Sequence, residues 1–315
     1  MTSLSINPLQ DDLPFGARIG GLTRAALDDE AVREEIREVF IRAGVVVFEG
    51  LENPSSEFQV ALSNVFGPLK EHPVKIVSRV DSDTMPGVIE LKTSPNLAIV
   101  EIDGEPLITW QPWHFDHCYN NELNRAGVLR AITITPEGGR TGFADGIQLY
   151  QAISPELREQ FEERKVIYTL DLLYKHMRFG VPKNFRQLRD PVSNILEIAR
   201  SMPRAIHPAI WQRDSGEKVL HVSPWMAVGL EGDETPAGDE LLHALCEEIV
   251  DKLQPYYHQW RPDQMVVWDN WRMLHKGCGC DPKYERLMHR TTIAGDYGLG
   301  YFESKPSGAA IPDVM

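Results

Sequence analysis

The segment Trp113-His114-Phe115-Asp116-His117 sets an imidazole and a carboxylate two residues apart. If it is extended, His114 and Asp116 leave the same face, because side chains alternate along a strand. Together they could occupy two positions on one metal ion. A second imidazole would complete a two-His, one-carboxylate facial set, which leaves three positions open, as in Fe(II) oxygenases. His-x-Asp alone is a common pattern, and a buried His paired with Asp is the bland alternative. His117, His207, His221, His275 and His289 are all candidates for the third ligand. Position alone does not choose among them. His275 follows the apolar run Val266-Val267-Trp268 and the polar pair Asp269-Asn270, and in isolation it reads as a loop histidine.

A second chemistry lies in Arg286-Leu287-Met288-His289-Arg290-Thr291-Thr292-Ile293. Arg286 and Arg290 are four residues apart, so on a strand they share a face, with Leu287 and His289 on the other. Guanidinium groups on the interior face of an apolar strand are costly unless each meets an anion. A carboxylate suits them best, because it can accept both arms of the fork. That carboxylate could belong to a ligand or to internal Asp and Glu side chains. Cys278-Gly279-Cys280, just beyond His275, lacks the four closed ligands and the spacing of a structural zinc site. These cysteines read as loop residues.

These groups need a scaffold. Val32, Ile36, Val39 and Phe40 recur at helical spacing, with Asp28 or Asp29 as N-cap and Gly44 as a stop. Val45-Val46-Val47-Phe48 predicts a buried strand, and residues 56–65 a second helix closed by Gly67-Pro68. From about Gly87 to Thr135 come short β-like runs, Val88–Leu91, Leu97–Ile102 and Val128–Thr135, broken by Pro, Gly, Asn and Asp. Ser154-Pro155 opens another helix. Residues 171–204 hold no sustained period and predict an insertion or lid with helical pieces. A long helix is expected over Asp239–Leu253, and two closing strands over Gln264–Trp268 and Arg286–Ala294. Strands not alternating with helices, and no Gly-x-Gly-x-x-Gly, favour an antiparallel sheet sandwich with helical decoration over a doubly wound sheet. The expected fold is therefore mainly β with α, a jelly-roll core flanked by helices in a single domain spanning residues 1–315.

The composition narrows the function. With 315 residues, 42% of them hydrophobic, the chain can bury a large core. Lys+Arg of 32 against Asp+Glu of 46 gives a charge of −14, which repels phosphate backbones, so nucleic acid is not an expected partner. No run of apolar residues is long enough for a membrane span, and Met1 to Leu13 does not resemble a secretory signal. Four scattered cysteines suit a reducing cytoplasm. A small-molecule substrate and a homo-oligomer are expected.

Several separate stretches together resemble the taurine dioxygenase / 2,4-D dioxygenase family of Fe(II)/2-oxoglutarate enzymes. They run from Gly16-Ala17-Arg18-Ile19-Gly20-Gly21-Leu22 through Gly44–Gly50, Phe66-Gly67-Pro68-Leu69, the His-x-Asp segment, Gly138-Gly139-Arg140-Thr141 and His207-Pro208. They end in Trp268-Asp269-Asn270, His275, Arg286 and the Met288-His289-Arg290-Thr291-Thr292 run. His275 lies eleven residues before Arg286 and fifteen before Arg290, as the family pattern requires.

The resemblance implies a double-stranded β-helix that uses Fe(II), 2-oxoglutarate and O2. It implies His114, Asp116 and His275 as the iron ligands, and Thr141 with Arg286 on the distal carboxylate of 2-oxoglutarate. Arg290 looks like the residue that meets a substrate anion beside the cosubstrate, or acts as a second clamp on it. His72, Lys75, His117, Tyr119 and Tyr174 then fall at substrate-contacting positions. Lys75 replaces a tyrosine that contacts sulfonate in taurine dioxygenase, and Trp110 replaces an asparagine. Together with Leu173, Trp225 and Met226, these departures imply a substrate bulkier and more apolar than taurine and still anionic. Hydroxylation with release of succinate and CO2 is the expected reaction. Desaturation, ring formation, or a metal enzyme of the same fold without 2-oxoglutarate are the alternatives.

Overall fold

Val32, Ile36, Val39, Phe40 and Ala43 are buried along one side of the helix Glu30–Ala43. Its first turn is capped by the Asp29 carboxylate, which accepts from the Ala31 amide at 2.9 Å. Its last is closed by Gly44 at φ 75°, a conformation that favours glycine. This is a computed structural model, and it describes residues 4–70, 79–193 and 195–304. The second helix, Ser56–Ser63, stops two residues short of the expected end. The long helix Pro236–Lys252 begins three residues earlier than its apolar pattern. There Thr235 accepts from the Gly238 amide, and Pro236 takes the first helical position, where its missing N–H costs nothing.

Two large, mainly antiparallel sheets carry the architecture. The first runs Ser5–Pro8, Ala17–Gly20, Val45–Glu49, Met265–Asp269, Ala126–Thr133, Leu287–Ile293, Met85–Lys92, Arg79–Asp81. Only the pairing of Ala17–Gly20 with Val45–Glu49 in it is parallel. The second runs Phe185–Arg189, Ile99–Ile102, Glu105–His114, Met273–Cys280, Thr141–Asp145, Tyr256–His258. A smaller sheet of Ala227–Leu230, Lys165–Tyr168, Ala205–Pro208 and Tyr301–Phe302 is not hydrogen-bonded to either but shares a core cluster with the second.

Side-chain alternation divides the core into layers. Val46, Phe48, Val128, Val267 and Ile293 pack under the two N-terminal helices. Their neighbours Val45, Val47, Leu129, Val266, Trp268 and Met288 turn the other way and meet Phe143 and Met273 of the second sheet. The far face of the second sheet carries Trp113, Ala144 and Leu274 into a third cluster with the Pro236–Lys252 helix. Trp268 packs against Gly127 on the adjacent strand, where an added Cβ would come within 2.5 Å of its ring.

Three expectations need correction. Met273–Cys280 is a strand in the middle of the second sheet, so Cys278 and Cys280 are strand residues and not loop residues. Its pairing on both edges compensates for two glycines and an absent apolar alternation. Thr141–Asp145 is likewise a strand that the pattern did not reveal. Within 171–204 the helical pieces are Tyr174–His176 and Ile195–Ser201, but Phe185–Arg189 is a strand that extends the second sheet beside Ile99–Ile102.

One buried ion pair fixes the turn that leads into Met273–Cys280. Arg272 donates to both oxygens of Asp145, at 2.7 and 2.8 Å, and to the Arg42 carbonyl at 2.9 Å. Asp145→Ala would strand a buried guanidinium, and we expect it to cost about 3–5 kcal/mol of stability. Urea unfolding should show a lowered midpoint, and an unchanged midpoint would remove the pair from this role.

Candidate metal centre

Met273 enters the core between the large sheets and Leu274 the opposite one, so the pleat returns His275 to the inter-sheet space. The same alternation turns His114 inward, next to the outward Trp113. His114 and His275 are direct cross-strand partners, with ring centroids 4.2 Å apart. The strand ends at His114, so Asp116 is not on it, as expected from the sequence, but in the turn beyond. Asn270 holds that turn. Its side-chain oxygen accepts from the Asp116 amide at 2.8 Å, and its side-chain nitrogen donates to the Asp116 carbonyl at 3.1 Å. Asp116 Oδ1 then lies 3.6 Å from His275 Nε2 and 4.0 Å from His114 Nε2.

His114, Asp116 and His275 are all buried, with donor atoms within 4.8 Å of one another, and form the one such group among the described residues. The donor set fits a metal. His114 Nδ1 sits 2.8 Å from the Pro112 carbonyl, which can only accept, so Nδ1 carries the proton and Nε2 presents its lone pair. Burial, with His275 and Arg290 nearby, pushes the His114 ring down to about 3, so it is neutral. Burial works to raise the Asp116 carboxyl, yet the Arg290 guanidinium and the His275 ring outweigh it and hold it well below the usual carboxylate range. Arg290 Nη2 donates to Asp116 Oδ2 at 2.6 Å.

The other histidines are elsewhere engaged. His207 Nε2 meets the Asn120 carbonyl at 2.7 Å, and His221 Nε2 the Asn270 carbonyl at 2.9 Å. His289 leaves the opposite face of its strand toward Ser56 and Arg130. His117 is buried at φ 60°, outside the metal group, with its ring 5.9 Å from that of Tyr119.

Beside His275 opens a narrow cleft lined by Thr141, Trp268, Arg286, Met288 and Arg290. Arg290 and Met288 reach the cleft from the strand Leu287–Ile293, and Arg286, the residue just before that strand, lines it too. Arg286 Nη2 donates to the Gly139 carbonyl at 3.4 Å, and Arg286 has no acidic partner among the described residues. Burial lowers its pKa. Thr141 Oγ1 accepts from Trp260 Nε1 at 3.1 Å. Trp225 stands edge-on to His114 at 5.0 Å between centroids, and Tyr174 lies 5.5 Å from Trp225. Tyr174 also donates to the Trp110 carbonyl at 2.8 Å. His72 and Lys75 lie outside the described residues. Sequence reasoning gave no role to Asn270, Trp260 or the Gly139 carbonyl. Asn270, next to Asp269 at the end of an apolar strand, was the one with a readable signal: a polar side chain where the strand enters the core.

The family model described as Taurine catabolism dioxygenase TauD, TfdA family matches residues 5–292. The chain belongs to this family. It is accordingly a 2-oxoglutarate-dependent dioxygenase, with Fe(II), 2-oxoglutarate and O2 as its cofactors and a small molecule as its substrate. The chain is 26% identical to (S)-phenoxypropionate/alpha-ketoglutarate-dioxygenase of Sphingobium herbicidovorans, over 93% of this chain and 96% of that one. It is 27% identical to alpha-ketoglutarate-dependent 2,4-dichlorophenoxyacetate dioxygenase of Cupriavidus pinatubonensis, over 93% and 99%. Among solved structures, a taurine dioxygenase from Burkholderia xenovorans superposes with a TM-score of 0.70 at 23% identity, covering 96% of each chain. AAD-2 in complex with Mn(II) and N-oxalylglycine gives 0.69 at 21%, covering 93% of this chain and 98% of that one. These TauD-like structures share the fold, mainly β with helices. No helix among the described residues is long and apolar enough to cross a membrane.

Two outcomes follow from this geometry. Asn270→Ala removes both anchors of the Asp116 backbone and should weaken Mn(II) binding by about 10–100-fold, read by calorimetry beside a melting curve. Unaltered affinity would show that Asp116 is held by other means. Burial also lowers His207 to about 4, and His221 and His258 to about 3. Their folded values lie below the unfolded one, so the stability they contribute is present above about pH 6.5 and lost as pH falls toward 4. Each group costs up to about 1.4 kcal/mol per pH unit in that window. Urea midpoints that stay flat from pH 7.5 to 5 would contradict this.

Proposed function

We propose that this TauD/TfdA-family enzyme hydroxylates a small anionic substrate, bulkier and more apolar than taurine, and releases succinate and CO2. In this reading His114, Asp116 and His275 hold the iron, and Arg286 with Thr141 holds the distal carboxylate of 2-oxoglutarate. The observation that carries it is Arg286: a half-buried guanidinium, without an acidic partner among the described residues, in the same cleft as His275. Such a group is costly unless an anion completes it. The Trp260 N–H already occupies a lone pair of Thr141 Oγ1, which leaves the Thr141 hydroxyl proton to donate to a carboxylate.

When bound, iron and 2-oxoglutarate supply the activation of O2 for attack on a C–H bond. The protein orients and shields. Trp268 and Met288 wall the cleft with buried apolar surface, and Arg286 and Thr141 would fix the far end of the cosubstrate. Trp225, edge-on to His114, and Tyr174, tilted against Trp225, with Tyr119, support an apolar, aromatic-walled substrate site. The two relatives named for phenoxypropionate and 2,4-dichlorophenoxyacetate are consistent with an aryloxy acid. Arg290, His117, His72 and Lys75 are its candidate contacts.

The two large sheets are read as the halves of a double-stranded β-helix in one domain. Residues 171–204 are read as a lid, tied down by Tyr174. The charge of −14 supports an enzyme that does not bind nucleic acid, and its few scattered cysteines, all free, support a reducing cytoplasm.

Arg286→Ala should raise the KM for 2-oxoglutarate by an amount worth about 2–5 kcal/mol, with Lys rescuing in part. An unchanged KM refutes the assignment. For the substrate, aryloxy acids and their neutral esters are compared by succinate release. Equal or better turnover of the esters would defeat the anionic reading and leave the dioxygenase untouched.

A further inference from the structure

The two oxygens of Asp116 are not equivalent. Oδ1 faces the imidazoles, at 3.6 Å from His275 Nε2 and 4.0 Å from His114 Nε2. Oδ2 accepts from Arg290 Nη2 at 2.6 Å. The guanidinium reaches this carboxylate from the first sheet, whereas both imidazoles belong to the second. Its swing is limited, because its Cζ lies 5.6 Å from the centroid of the fully buried Trp268 ring.

A carboxylate can bind a metal through one oxygen or two. To present both, Asp116 would have to turn Oδ2 away from Arg290 and give up a short, charge-assisted hydrogen bond in a buried place. We propose that Arg290 is a positioning residue that keeps Asp116 a one-oxygen metal ligand. The inference rests on His114, Asp116 and His275 being the metal site. It matters because a facial set of three donor atoms leaves three positions, enough for a chelating 2-oxo acid and O2. A second Asp116 oxygen would close one of them. It also narrows what else Arg290 can do. With Nη2 committed, its buried Nε, which has no hydrogen-bond partner among the described residues, is the donor left for an anion in the cleft.

The test loads the full chain with Mn(II) and counts metal-bound exchangeable water by proton relaxation, so it does not depend on turnover. Wild type should show about three waters, and Arg290→Gln about two, as Oδ2 joins the metal. Arg290→Lys, which keeps a charged donor, should return toward the wild-type count. Affinity of the Mn(II) protein for N-oxalylglycine should fall about 10-fold or more in Arg290→Gln, since chelation then competes with Asp116. An Arg290→Gln protein with the wild-type water count and N-oxalylglycine affinity overturns the proposal. Should Arg290→Gln not fold, a crystal structure of the wild-type Mn(II) protein decides. Oδ2 still on Arg290 supports the proposal, and Oδ2 on the metal overturns it. Failure of the metal site itself would look different: wild type would not bind Mn(II), and His275→Ala would change nothing.

Discussion

A carboxylate buried between two sheets must be neutralised where it stands, and Asp116 imposes that condition on everything around it. Burial keeps the adjacent His114 imidazole neutral, so it offers no charge. Compensation comes from Arg290 on the opposite sheet. The site can therefore exist only where the two large sheets come together, and the strands carrying His114, His275 and Arg290 must keep their registers. A slip of one residue would turn each of these side chains out of the inter-sheet space.

The registers are pinned from both sides. Under the N-terminal helices, Gln59 donates to the carbonyls of Val128 and His289, at 3.2 and 3.1 Å, and so bridges two adjacent strands. Ser63 and Thr291 share a hydrogen bond of 2.7 Å beside it. Thr291 follows Arg290 directly, so this polar network behind the first sheet holds the strand that presents the guanidinium. In the second sheet, Arg272 and Asp145 clamp the turn before His275.

The buried and half-buried arginines here divide by what satisfies them. Arg130 bonds to Gln59, Ser56 and the Pro54 carbonyl, and Arg272 to Asp145 and backbone carbonyls. Arg125 pairs with Asp269 and lies over Trp271. Each is complete within the protein. Arg286 has one long bond to a carbonyl and no carboxylate among the described residues. That contrast within one chain separates a structural arginine from one suited to a ligand.

Much of this was legible in the sequence. Local signals placed the helix Glu30–Ala43 by its cap, its apolar stripe and its terminal glycine. The period of two predicted that Arg286 and Arg290 share a face, and both line one cleft although Arg286 stands just before the strand Leu287–Ile293. The resemblance singled out His114, Asp116 and His275. Read locally, however, His275 looked like a loop residue. Its strand contains Gly277 and Gly279 and shows no apolar alternation, so only its neighbours on both edges make it a strand. Spacing put Asp116 on the strand of His114, whereas it lies past the strand end and is held by Asn270, 154 residues further on. The pairing of Arg290 with Asp116 across 174 residues was likewise undecided by spacing. Periodicity reports which face a side chain takes. Which side chain it meets there depends on how two sheets stack, and that is a property of the folded chain.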